Sequence, residues 1–550
     1  MTSENVAEFV IRCLENESVK FVFGLPGEEN IHLVEALSRS KIRLILVRHE
    51  QAASFMADIY GRVTGQAGVC LATLGPGAIN LLLGTADANT DSSPMVAFSA
   101  QGGLARIYKE SHQIVDLVSM FKPITKWADL ISSPEAVPEM IRSAFKLAQT
   151  ERPGSVYLAI PDDVEKEPMP AGFNPLKVNM VRDSSPSPLQ IDRAVAVLRH
   201  SKKPIVLAGH GAARNHAGES LIRFSERLNI PVATTFMGKG VFPENHPNSL
   251  GTVGFRTKDY VNFGFDQADV ILCVGYDLQE FDPAKINPDG NKQIIHLHRY
   301  PALVDAHYQI EVGIEANISE SLDALCSRVE KFSGLNATDI SIRNLLKEEL
   351  EHGARNDSFP LAPARIVSDT RKAMRDEDIV LVDTGALKMW MARLYTTNLP
   401  NTCLISNGLS TMGFALPGAI STKLGMPERN VLAATGDGGF LMNSQEIETA
   451  LRERIPLVVL IWVDGAYGLI KWEMELALGR SSYVSFGNPD FVKLAESYGA
   501  KGYEIKRAGD LLPALQRALK DDTVSIVSCP VDYSYNTALN DKLGEPPDLA

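Results

Sequence analysis

The stretch "LAATGDGGFLMNSQE" (432–446) joins a short apolar run to a turn with three glycines around one aspartate, and a helical pattern follows the turn. A buried strand that ends in such a turn and leads into a helix is the repeating unit of parallel α/β sheets. Ligands of open parallel sheets bind at the carboxyl ends of the strands. The stretch therefore predicts a parallel α/β domain with a binding site around Asp437 and a helix that begins near Met442.

The same alternation of apolar runs and helical patterns occurs in three segments of the 550-residue chain. We therefore predict three α/β domains, each built on a doubly wound parallel sheet. The predicted domains cover 1–167, 189–330 and 360–550, and a linker rich in proline, serine and asparagine (168–188) separates the first two. The predicted strands are 19–27, 42–48, 68–77 and 93–100 in the first domain, 203–209, 231–236, 269–275 and 293–298 in the second, and 378–385, 402–408, 430–439, 456–465 and 524–532 in the third.

The composition and charge of the chain exclude some classes of protein. Hydrophobic residues make up 45% and charged residues 22%, as is typical of globular proteins. The formal net charge of −13 argues against nucleic acid as the main partner, because phosphate backbones select basic surfaces. The six cysteines show no CxxC spacing, and no apolar run approaches the roughly 20 residues of a membrane span. Because the N-terminus shows no secretory signal pattern, we expect a cytoplasmic protein with reduced thiols that binds no membrane.

Asp437 and a second aspartate, Asp464, form the expected metal site. A glycine-rich backbone can approach a diphosphate closely, but a carboxylate among phosphate-binding amides repels the phosphate. A Mg²⁺ ion removes this repulsion, because it binds carboxylate and phosphate oxygens together. Asp464 follows Asp437 by 27 positions, at the end of the next predicted strand, and the main-chain carbonyl of Ala466 offers a third oxygen. The alternative is that each aspartate only caps a turn or a helix, as aspartates often do.

Together, "GDGGF" (436–440) and "VDGAYG" (463–468) resemble the signature of thiamine diphosphate (ThDP) enzymes. The resemblance extends over nearly the whole chain and includes "RHEQAASFMADIYGR" (48–62), "LGPGAIN" (74–80), "TMGFALPGAI" (411–420) and "FGNPDFVKLAESYGA" (486–500). Most of that superfamily has asparagine at the point where this chain has Asp464. An aspartate there resembles the FAD-independent, catabolic acetolactate synthases, so the chain looks closest to that branch.

The resemblance implies a cofactor, a domain arrangement and a set of site residues. It implies an N-terminal pyrimidine-binding domain, a central Rossmann-like domain and a C-terminal domain that binds the ThDP diphosphate and Mg²⁺. Glu50 would drive the cofactor's pyrimidine into its imino form, although a glutamate in a first helical turn is by itself commonly only a partner of the helix dipole. Met412 would support the bent shape of the cofactor. The implied cofactor-binding residues are Pro26, Gly27, Glu50, Thr73, Gly77, Asn80, Gly385, Ala386, Ser410, Met412, Gly436, Asp437, Gly438, Gly439, Asp464, Ala466, Tyr467, Gly468 and Leu469.

The resemblance also implies the reaction. Glu50 and Gln113 would be the catalytic residues, Asp437, Asp464 and Ala466 the metal-binding ones, and Gln113 and Glu473 would line the substrate pocket. Pyruvate would be decarboxylated, and the hydroxyethyl-ThDP enamine would add to a second 2-keto acid to give 2-acetolactate. The sequence contains no His-His pair, which the pyruvate decarboxylase branch uses to release aldehyde, and this absence favours carboligation. In this family each site lies between two subunits, so a homodimer or homotetramer is expected.

Three departures from the family pattern leave alternatives open. Leu387 stands where the family has a histidine that contacts the diphosphate, with Lys388 next to it as a possible substitute charge. Glu473 stands where relatives place Gln or Trp, and a carboxylate there would repel a 2-keto acid acceptor unless it is paired, with Lys471 or Arg480 as candidate partners. The third departure is Asp464 in place of asparagine, which the catabolic branch shares. The turn "GHGAA" (209–213) is an incomplete dinucleotide fingerprint and weak evidence by itself, but "VGYDLQEFDP" (274–283) resembles the FAD-free branch, so FAD is not expected. The alternatives are a ThDP lyase, ligase or decarboxylase with another acceptor, of benzaldehyde lyase or sulfoacetaldehyde acetyltransferase type, or a non-catalytic ThDP-binding homologue.

Overall fold

The computed structural model describes residues 4–179, 181–254, 259–335 and 337–537. Within these ranges the strands form three six-stranded sheets, and every pair of neighbouring strands is parallel. The predicted fold class of three parallel α/β domains is therefore confirmed. The exact domain boundaries stay a prediction, and the predicted ends at residues 1 and 550 lie outside the described ranges.

The first sheet places the loops after two of its neighbouring strands side by side. Its strands are β1 (Phe21–Gly24), β2 (Arg43–Leu46), β3 (Gly68–Ala72), β4 (Met95–Gln101), β5 (Trp127–Leu130) and β6 (Ser155–Pro161), and its helices are α1 (Val6–Asn16), α2 (Ile31–Ser38), α3 (Glu50–Thr64), α4 (Pro76–Asn80), α5 (Leu82–Thr90), α6 (Leu117–Phe121), α7 (Val137–Gln149) and α8 (Asp162–Lys166). The strand order is β2-β1-β3-β4-β6-β5. Because β1 and β3 are adjacent, the turns that follow them meet at one edge of the sheet.

The second sheet forms the central domain. Its strands are β7 (Pro204–Ala208), β8 (Val232–Thr234), β9 (Ser249–Thr252), β10 (Val270–Val274), β11 (Gln293–His298) and β12 (Ile310–Glu315), and its helices are α9 (Pro188–His200), α10 (His210–Arg214), α11 (Gly218–Leu228), α12 (Tyr260–Asp266) and α13 (Ile318–Cys326). The strand order is β12-β11-β10-β7-β8-β9. The order reverses at β7, which is the arrangement of a Rossmann-like sheet.

The third sheet carries the glycine-rich stretch quoted at the outset. Its strands are β13 (Ile379–Val382), β14 (Cys403–Ile405), β15 (Val431–Gly436), β16 (Val458–Val463), β17 (Lys501–Glu504) and β18 (Ser525–Pro530). The helices that follow α13 in the chain are α14 (Ala337–Ala354), α15 (Pro363–Ala373), α16 (Ala386–Leu394), α17 (Ala415–Gly425), α18 (Asp437–Asn443), α19 (Glu446–Arg452), α20 (Gly468–Leu478), α21 (Phe491–Tyr498) and α22 (Leu511–Ala518). The strand order is β14-β13-β15-β16-β18-β17. Since β15 and β16 are neighbours, the predicted juxtaposition of the turns after them is confirmed.

Each predicted strand overlaps an observed one, but the sequence analysis missed five strands. These are β5, β6, β9, β12 and β17. Four of them, β5, β9, β12 and β17, are edge strands in which the apolar run is short or interrupted, and the fifth, β6, is a buried strand next to an edge. The predicted helix start near Met442 is wrong, because α18 begins at Asp437. Gly436 is still extended, and the chain turns into a helix at the next residue.

The first and third domains pack directly on each other through α3 and α17. The rings of Phe55 and Phe414 lie 6.5 Å apart. A Cβ on Gly418 would lie only 2.9 Å from Cγ1 of Ile59, so the two helices approach closely. The apolar residues at this contact belong to one core that includes strands of both sheets. This packing fixes the position of α3, whose first residue is Glu50.

No helix within the described residues is both long enough and apolar enough to cross a membrane.

Glu165, on α8, gives a prediction about stability. The residue is fully buried, and burial, together with the charge of Asp162, raises the pKa of its carboxyl to about 9. The same group has a pKa near 4.3 in an unfolded chain. Between these values the unfolded chain loses the proton and the folded chain keeps it, so stability falls as the pH rises from about 4.5 to 9. We expect Glu165→Gln to raise the free energy of unfolding by about 2–4 kcal/mol at pH 8.

Denaturant unfolding at pH 5 and pH 8 checks this expectation. The gain should be much smaller at pH 5, because that pH lies only about 0.7 above the pKa of the unfolded chain, whereas pH 8 lies about 3.7 above it. Glu139→Gln is the control, because Glu139 is exposed on α7 in the same domain. An equal gain at both pH values would contradict the assignment.

Candidate active site

Glu50 lies in a small cluster of polar groups at the edge of the first sheet. It is the first residue of α3 and is only 9% exposed. The side-chain amide of Asn80 donates a hydrogen bond to Oε2 of Glu50 at 2.9 Å. On the other side, a Cβ on Gly77 would lie 3.1 Å from Oε1 of Glu50. The carboxylate is therefore held between α3 and α4, with one oxygen against a main-chain segment that lacks a side chain.

The turn after β1 reaches the same cluster. A Cβ on Gly27 would lie 2.4 Å from Cβ of Thr73, so only glycine fits at this position. The side chain of Asn30 accepts a hydrogen bond from the Gly27 amide at 2.8 Å and donates to the Leu25 carbonyl at 3.2 Å, which fixes the turn. The structure thus brings the predicted residues Gly27, Glu50, Thr73, Gly77 and Asn80 together, with Pro26 exposed beside them.

Glu446, which the sequence interpretation missed, supports Glu50 from the third domain. This residue begins α19 and is fully buried. Its carboxylate accepts a hydrogen bond from the main-chain amide of Arg48 at 3.1 Å and from Oγ1 of Thr449 at 2.6 Å. Burial raises the pKa of the Glu446 carboxyl to about 7. The third domain therefore holds the turn that leads into α3, and a pattern within either segment alone could not reveal this contact.

A cavity lies at the carboxyl ends of β13, β15 and β16 in the third domain. Gly385, which directly precedes α16, has a φ of +146°, and this backbone conformation favours glycine. The cavity contains most of the predicted C-terminal site residues and adds Thr384, Leu387, Ile470 and Tyr533. Its lining residues are Thr384, Gly385, Ala386, Leu387, Met412, Gly436, Asp437, Gly438, Gly439, Asp464, Ala466, Tyr467, Gly468, Leu469, Ile470 and Tyr533.

Asp437 and Asp464 face each other across this cavity. One carboxylate oxygen of Asp437, Oδ2, accepts hydrogen bonds from the main-chain amides of Gly465 at 2.7 Å and Asp464 at 3.1 Å. The other, Oδ1, accepts from the amide of Gly438 at 2.9 Å. Burial and the charge of Asp437 raise the pKa of the Asp464 carboxyl to about 7. A buried carboxylate and a half-buried one that repel each other in this way fit a bound cation, which would remove the repulsion.

The rest of a cation's ligands must come from other oxygens. Among the residues that the structure describes, no group of three or more His, Cys, Asp or Glu side chains is placed to hold a metal ion. Ala466 lines the cavity and pairs with Ser485 across a short antiparallel bridge, so its main chain is fixed. Two carboxylates with one main-chain oxygen leave octahedral positions open for phosphate oxygens and water, the usual way in which proteins bind Mg²⁺.

Asp383, a second residue that the sequence interpretation missed, connects two walls of the cavity. The residue is buried at the end of β13. Its carboxylate accepts hydrogen bonds from the amide of Gly413 at 2.9 Å, from Oγ1 of Thr435 at 2.9 Å and from the amide of Thr384 at 2.8 Å. Asp383 therefore fixes the loop of Met412 relative to the strand that leads to Asp437.

Leu387 and Lys388 point in different directions. Leu387 is buried and lines the cavity, with Cδ2 3.5 Å from where a Cβ on Gly385 would lie. The ammonium of Lys388 instead donates to the carbonyl of Ser406 and to Oγ of Ser410, each at 2.9 Å. Burial lowers the pKa of Lys388 to about 8, against the attraction of Asp91 and Asp87. The cavity wall at Leu387 is thus apolar, and Lys388 and the predicted cofactor residue Ser410 bond to each other outside the cavity lining.

The two predicted halves of the site do not meet within one chain. The cavity lining contains residues of the third domain only, and Glu50 belongs to the polar cluster of the first. Gln113 is exposed and has a φ of +59°. Its main-chain carbonyl oxygen would lie 2.8 Å from a Cβ on Gly75, so Gln113 lies next to the cluster of Glu50. Glu473 is exposed on α20, one helical turn beyond the cavity-lining residues Leu469 and Ile470. Gln113 therefore lies near the polar cluster of Glu50, and Glu473 lies near the cavity of the third domain.

Sequence comparisons agree with this architecture. Three family models match: the N-terminal TPP binding domain of thiamine pyrophosphate enzymes over residues 4–120, the central domain over 191–325 and the C-terminal TPP binding domain over 383–529. The chain is 36% identical to a probable acetolactate synthase large subunit of Methanococcus aeolicus, with 96% of the chain and 92% of that protein covered. It is 34% identical to the acetolactate synthase of Bacillus subtilis, with coverages of 98% and 95%. It is also 34% identical to the catabolic acetolactate synthase of Raoultella terrigena, with coverages of 98% and 97%.

A fold of three parallel α/β domains, with a carboxylate pair and glycine-rich turns at the carboxyl ends of the third sheet, defines a thiamine pyrophosphate-dependent enzyme. Within that class, the chain belongs to the acetolactate synthase family.

Proposed function

We propose that this enzyme is a ThDP- and Mg²⁺-dependent carboligase that decarboxylates pyruvate and joins the remaining two-carbon unit to a second 2-keto acid, giving 2-acetolactate. The observation that carries the proposal is the pairing of Asp437 with Asp464 at the cavity, together with the buried carboxylate of Glu50 in a separate cluster. One set of residues suits the metal and diphosphate, and the other suits a pyrimidine. When bound, ThDP supplies the electron sink that permits loss of carbon dioxide from a 2-keto acid.

The residues of the chain have separate tasks in this proposal. Asp437, Asp464 and the carbonyl of Ala466 would hold Mg²⁺, and the glycines beside them would admit the diphosphate. Met412, which lines the cavity in the loop that Asp383 fixes, would support the cofactor. Glu50 would hold a proton at a ring nitrogen of the pyrimidine and so activate the cofactor. Leu387, Leu469 and Ile470 would keep water away from the reacting atoms.

The separation of the halves supports a dimer in which each site is shared. Large apolar side chains are exposed around both halves, with exposures from 37% to 53%: Ile79 and Leu83 beside Asn80, Tyr467 and Ile470 in the cavity lining, and Met442 on α18, which begins at the cavity. Exposed apolar groups that cluster in this way mark interaction surfaces. We propose that a second copy of the chain covers them and brings its Glu50 to the cavity.

The central domain supports a cofactor set without FAD. At the incomplete dinucleotide turn, the amide of His210 donates to Oε2 of Glu280 at 2.9 Å and to Oε1 at 3.1 Å. The chain's own carboxylate therefore takes the position at which a dinucleotide phosphate would bind.

Incubation of the enzyme with ThDP, Mg²⁺ and pyruvate, followed by assays for acetolactate and acetaldehyde, tests the proposed reaction. We expect acetolactate without acetaldehyde. Acetaldehyde alone would show that the enzyme is a decarboxylase. A lack of turnover of any 2-keto acid, despite bound ThDP, would contradict the choice of acceptor.

Glu473 favours a second candidate, an acceptor without a carboxylate. The residue lies three and four positions after Ile470 and Leu469, so it shares their face of α20. Because a 2-keto acid is an anion and an aldehyde is neutral, a carboxylate at this point disfavours the keto acid as acceptor relative to the aldehyde. Equimolar benzaldehyde or acetaldehyde, added to the pyruvate assay, discriminates the two acceptors by the product formed.

Leu387 gives a prediction about cofactor affinity. A histidine there would supply a hydrogen-bond donor in an apolar wall next to Gly385 and Gly436. We expect Leu387→His to tighten ThDP binding about fivefold at saturating Mg²⁺, which corresponds to about 1 kcal/mol for one added hydrogen bond. Titration calorimetry measures the affinity. Leu387→Ala is the control, because it changes the volume without adding a donor, and an equal gain in that variant would rule out the hydrogen bond.

A further inference from the structure

Asn488 follows a segment that lies along the loop of the metal site. The amide of Tyr467 donates to the carbonyl of Val484, and the amide of Phe486 donates to the carbonyl of Gly465, each at 2.9 Å. These bonds flank the bridge between Ala466 and Ser485 and form a short antiparallel ribbon. Asn488 lies two residues beyond the ribbon, so the main chain fixes its place relative to Asp464 and Ala466.

Two aromatic rings cover this region. The rings of Tyr467 and Phe486 meet edge to face with their centroids 5.0 Å apart. A Cβ on Gly438 would lie 3.0 Å from Tyr467 and 3.2 Å from Phe486, so the rings lie directly over the turn after Asp437. Hydrogen bonds beneath such a cover are stronger than in water, because the local dielectric constant is lower.

The amide group of Asn488 is oriented by Asp437. Nδ2 of Asn488 donates to Oδ2 of Asp437 at 2.8 Å. This is the same oxygen that accepts the amides of Gly465 and Asp464. Turning the Asn488 amide around would place two acceptor oxygens against each other at that distance, which is repulsive. The carbonyl oxygen of Asn488 must therefore point away from Asp437.

That carbonyl oxygen lacks a partner. Oδ1 of Asn488 is buried, and no donor within the described ranges makes a hydrogen bond to it. Buried polar atoms nearly always have a partner, and an orphaned one costs about 1–3 kcal/mol. Oδ1 of Asn488 therefore needs a hydrogen-bond donor, and a ligand bound at Asp437 and Asp464 can supply that donor. Mg²⁺ usually keeps several of its waters, and these are O–H donors.

We propose that Asn488 is a positioning residue of the metal site: its NH₂ group holds Asp437 and its carbonyl oxygen accepts a hydrogen bond from a water on the bound cation. The proposal rests on the Mg²⁺-dependent function proposed above and adds a residue to it. Groups that orient metal ligands in this way typically contribute 10–100-fold to metal affinity.

Titration of the enzyme with ThDP at a series of Mg²⁺ concentrations, without substrate, tests this role. In Asn488→Ala we expect the Mg²⁺ concentration for half-maximal ThDP binding to rise about 10–100-fold. Saturating Mg²⁺ should restore the wild-type stoichiometry, since the cofactor's own contacts are intact. Asn488→Leu keeps the branching and the number of side-chain heavy atoms and lacks both hydrogen-bonding groups, so it should give the same shift even if the alanine variant folds poorly.

Asn430→Ala is the matched control. Asn430 lies in the same domain, and its side chain donates to Oδ2 of Asp378 at 3.2 Å, outside the cavity. This variant should lose some thermal stability and keep the Mg²⁺ dependence of the wild type. A wild-type Mg²⁺ dependence in both Asn488 variants, or an equal shift in Asn430→Ala, would overturn the proposal. A wild type that binds no ThDP at any Mg²⁺ concentration would instead overturn the proposed function as well.

Discussion

Replacing Asp437 by alanine is expected to abolish Mg²⁺-dependent binding of ThDP. The change removes one of two carboxylates that face each other at the cavity, and with it the cation that would bridge the chain to the diphosphate. It also leaves the amides of Gly438 and Gly465 without their acceptor. We expect the ThDP affinity at saturating Mg²⁺ to fall at least 100-fold, since a metal ligand itself contributes more than the 10–100-fold of a supporting residue.

Calorimetric titration with ThDP, with and without Mg²⁺, measures this effect. Asp378→Ala is the matched control: Asp378 is buried in the same domain and accepts amides from Arg375 and Asn430, each at 2.9 Å, outside the cavity. That variant should be destabilised and should still bind ThDP in a Mg²⁺-dependent manner. An unchanged ThDP affinity in Asp437→Ala would refute the metal assignment.

Replacing Glu50 by glutamine is expected to separate cofactor binding from catalysis. Glutamine has the same shape and can still accept the hydrogen bond from Asn80, so the polar cluster should keep its geometry. An amide cannot hold the proton that a carboxylate holds. We expect kcat to fall about 10²–10⁴-fold, the range that a positioned acid or base typically contributes. ThDP affinity should change less than about tenfold, because the metal and diphosphate contacts remain.

Two readouts distinguish this role from a structural one. Hydrogen–deuterium exchange at the thiazolium C2 of bound ThDP should slow in parallel with kcat in Glu50→Gln. Glu29→Gln is the control, because Glu29 accepts a hydrogen bond from Oγ1 of Thr73 at 3.0 Å in the same part of the chain. It should stay within about threefold of wild type. Wild-type exchange in Glu50→Gln would show that the carboxylate has another task.

The architecture was predictable from local patterns of sequence. Buried strands of parallel sheets are continuous apolar runs, and β13, β15 and β16 stand out as such. The sequence analysis missed β17 because the residues of this strand are partly exposed at a sheet edge and form no apolar run. The position of Asp437 and Asp464 on neighbouring strands also followed from sequence, because adjacent strands in chain order commonly pair. The start of α18 was predicted wrongly, because three glycines suggest a longer turn than the one that forms.

The contacts that support the site were not predictable in the same way. Asp383, Glu446 and Asn488 each act on a residue at least 30 positions away in the chain. Their side chains are ordinary for a strand end, a helix start and a loop, so no local pattern marks them. Only the tertiary arrangement shows that each one meets a segment of the predicted site.

The contact between Glu446 and the turn at Arg48 has a consequence for the assembled enzyme. In one chain, α18 starts at the Asp437 side of the cavity, and α19 follows it and starts at Glu446. Glu446 then holds the residues that precede Glu50, which in the proposed dimer faces the other cavity. A ligand that shifts α18 in one subunit therefore also shifts the acid that serves its neighbour. In the proposed dimer, such a shift would link the ligand affinities of the two centres, so that they would not titrate as independent sites.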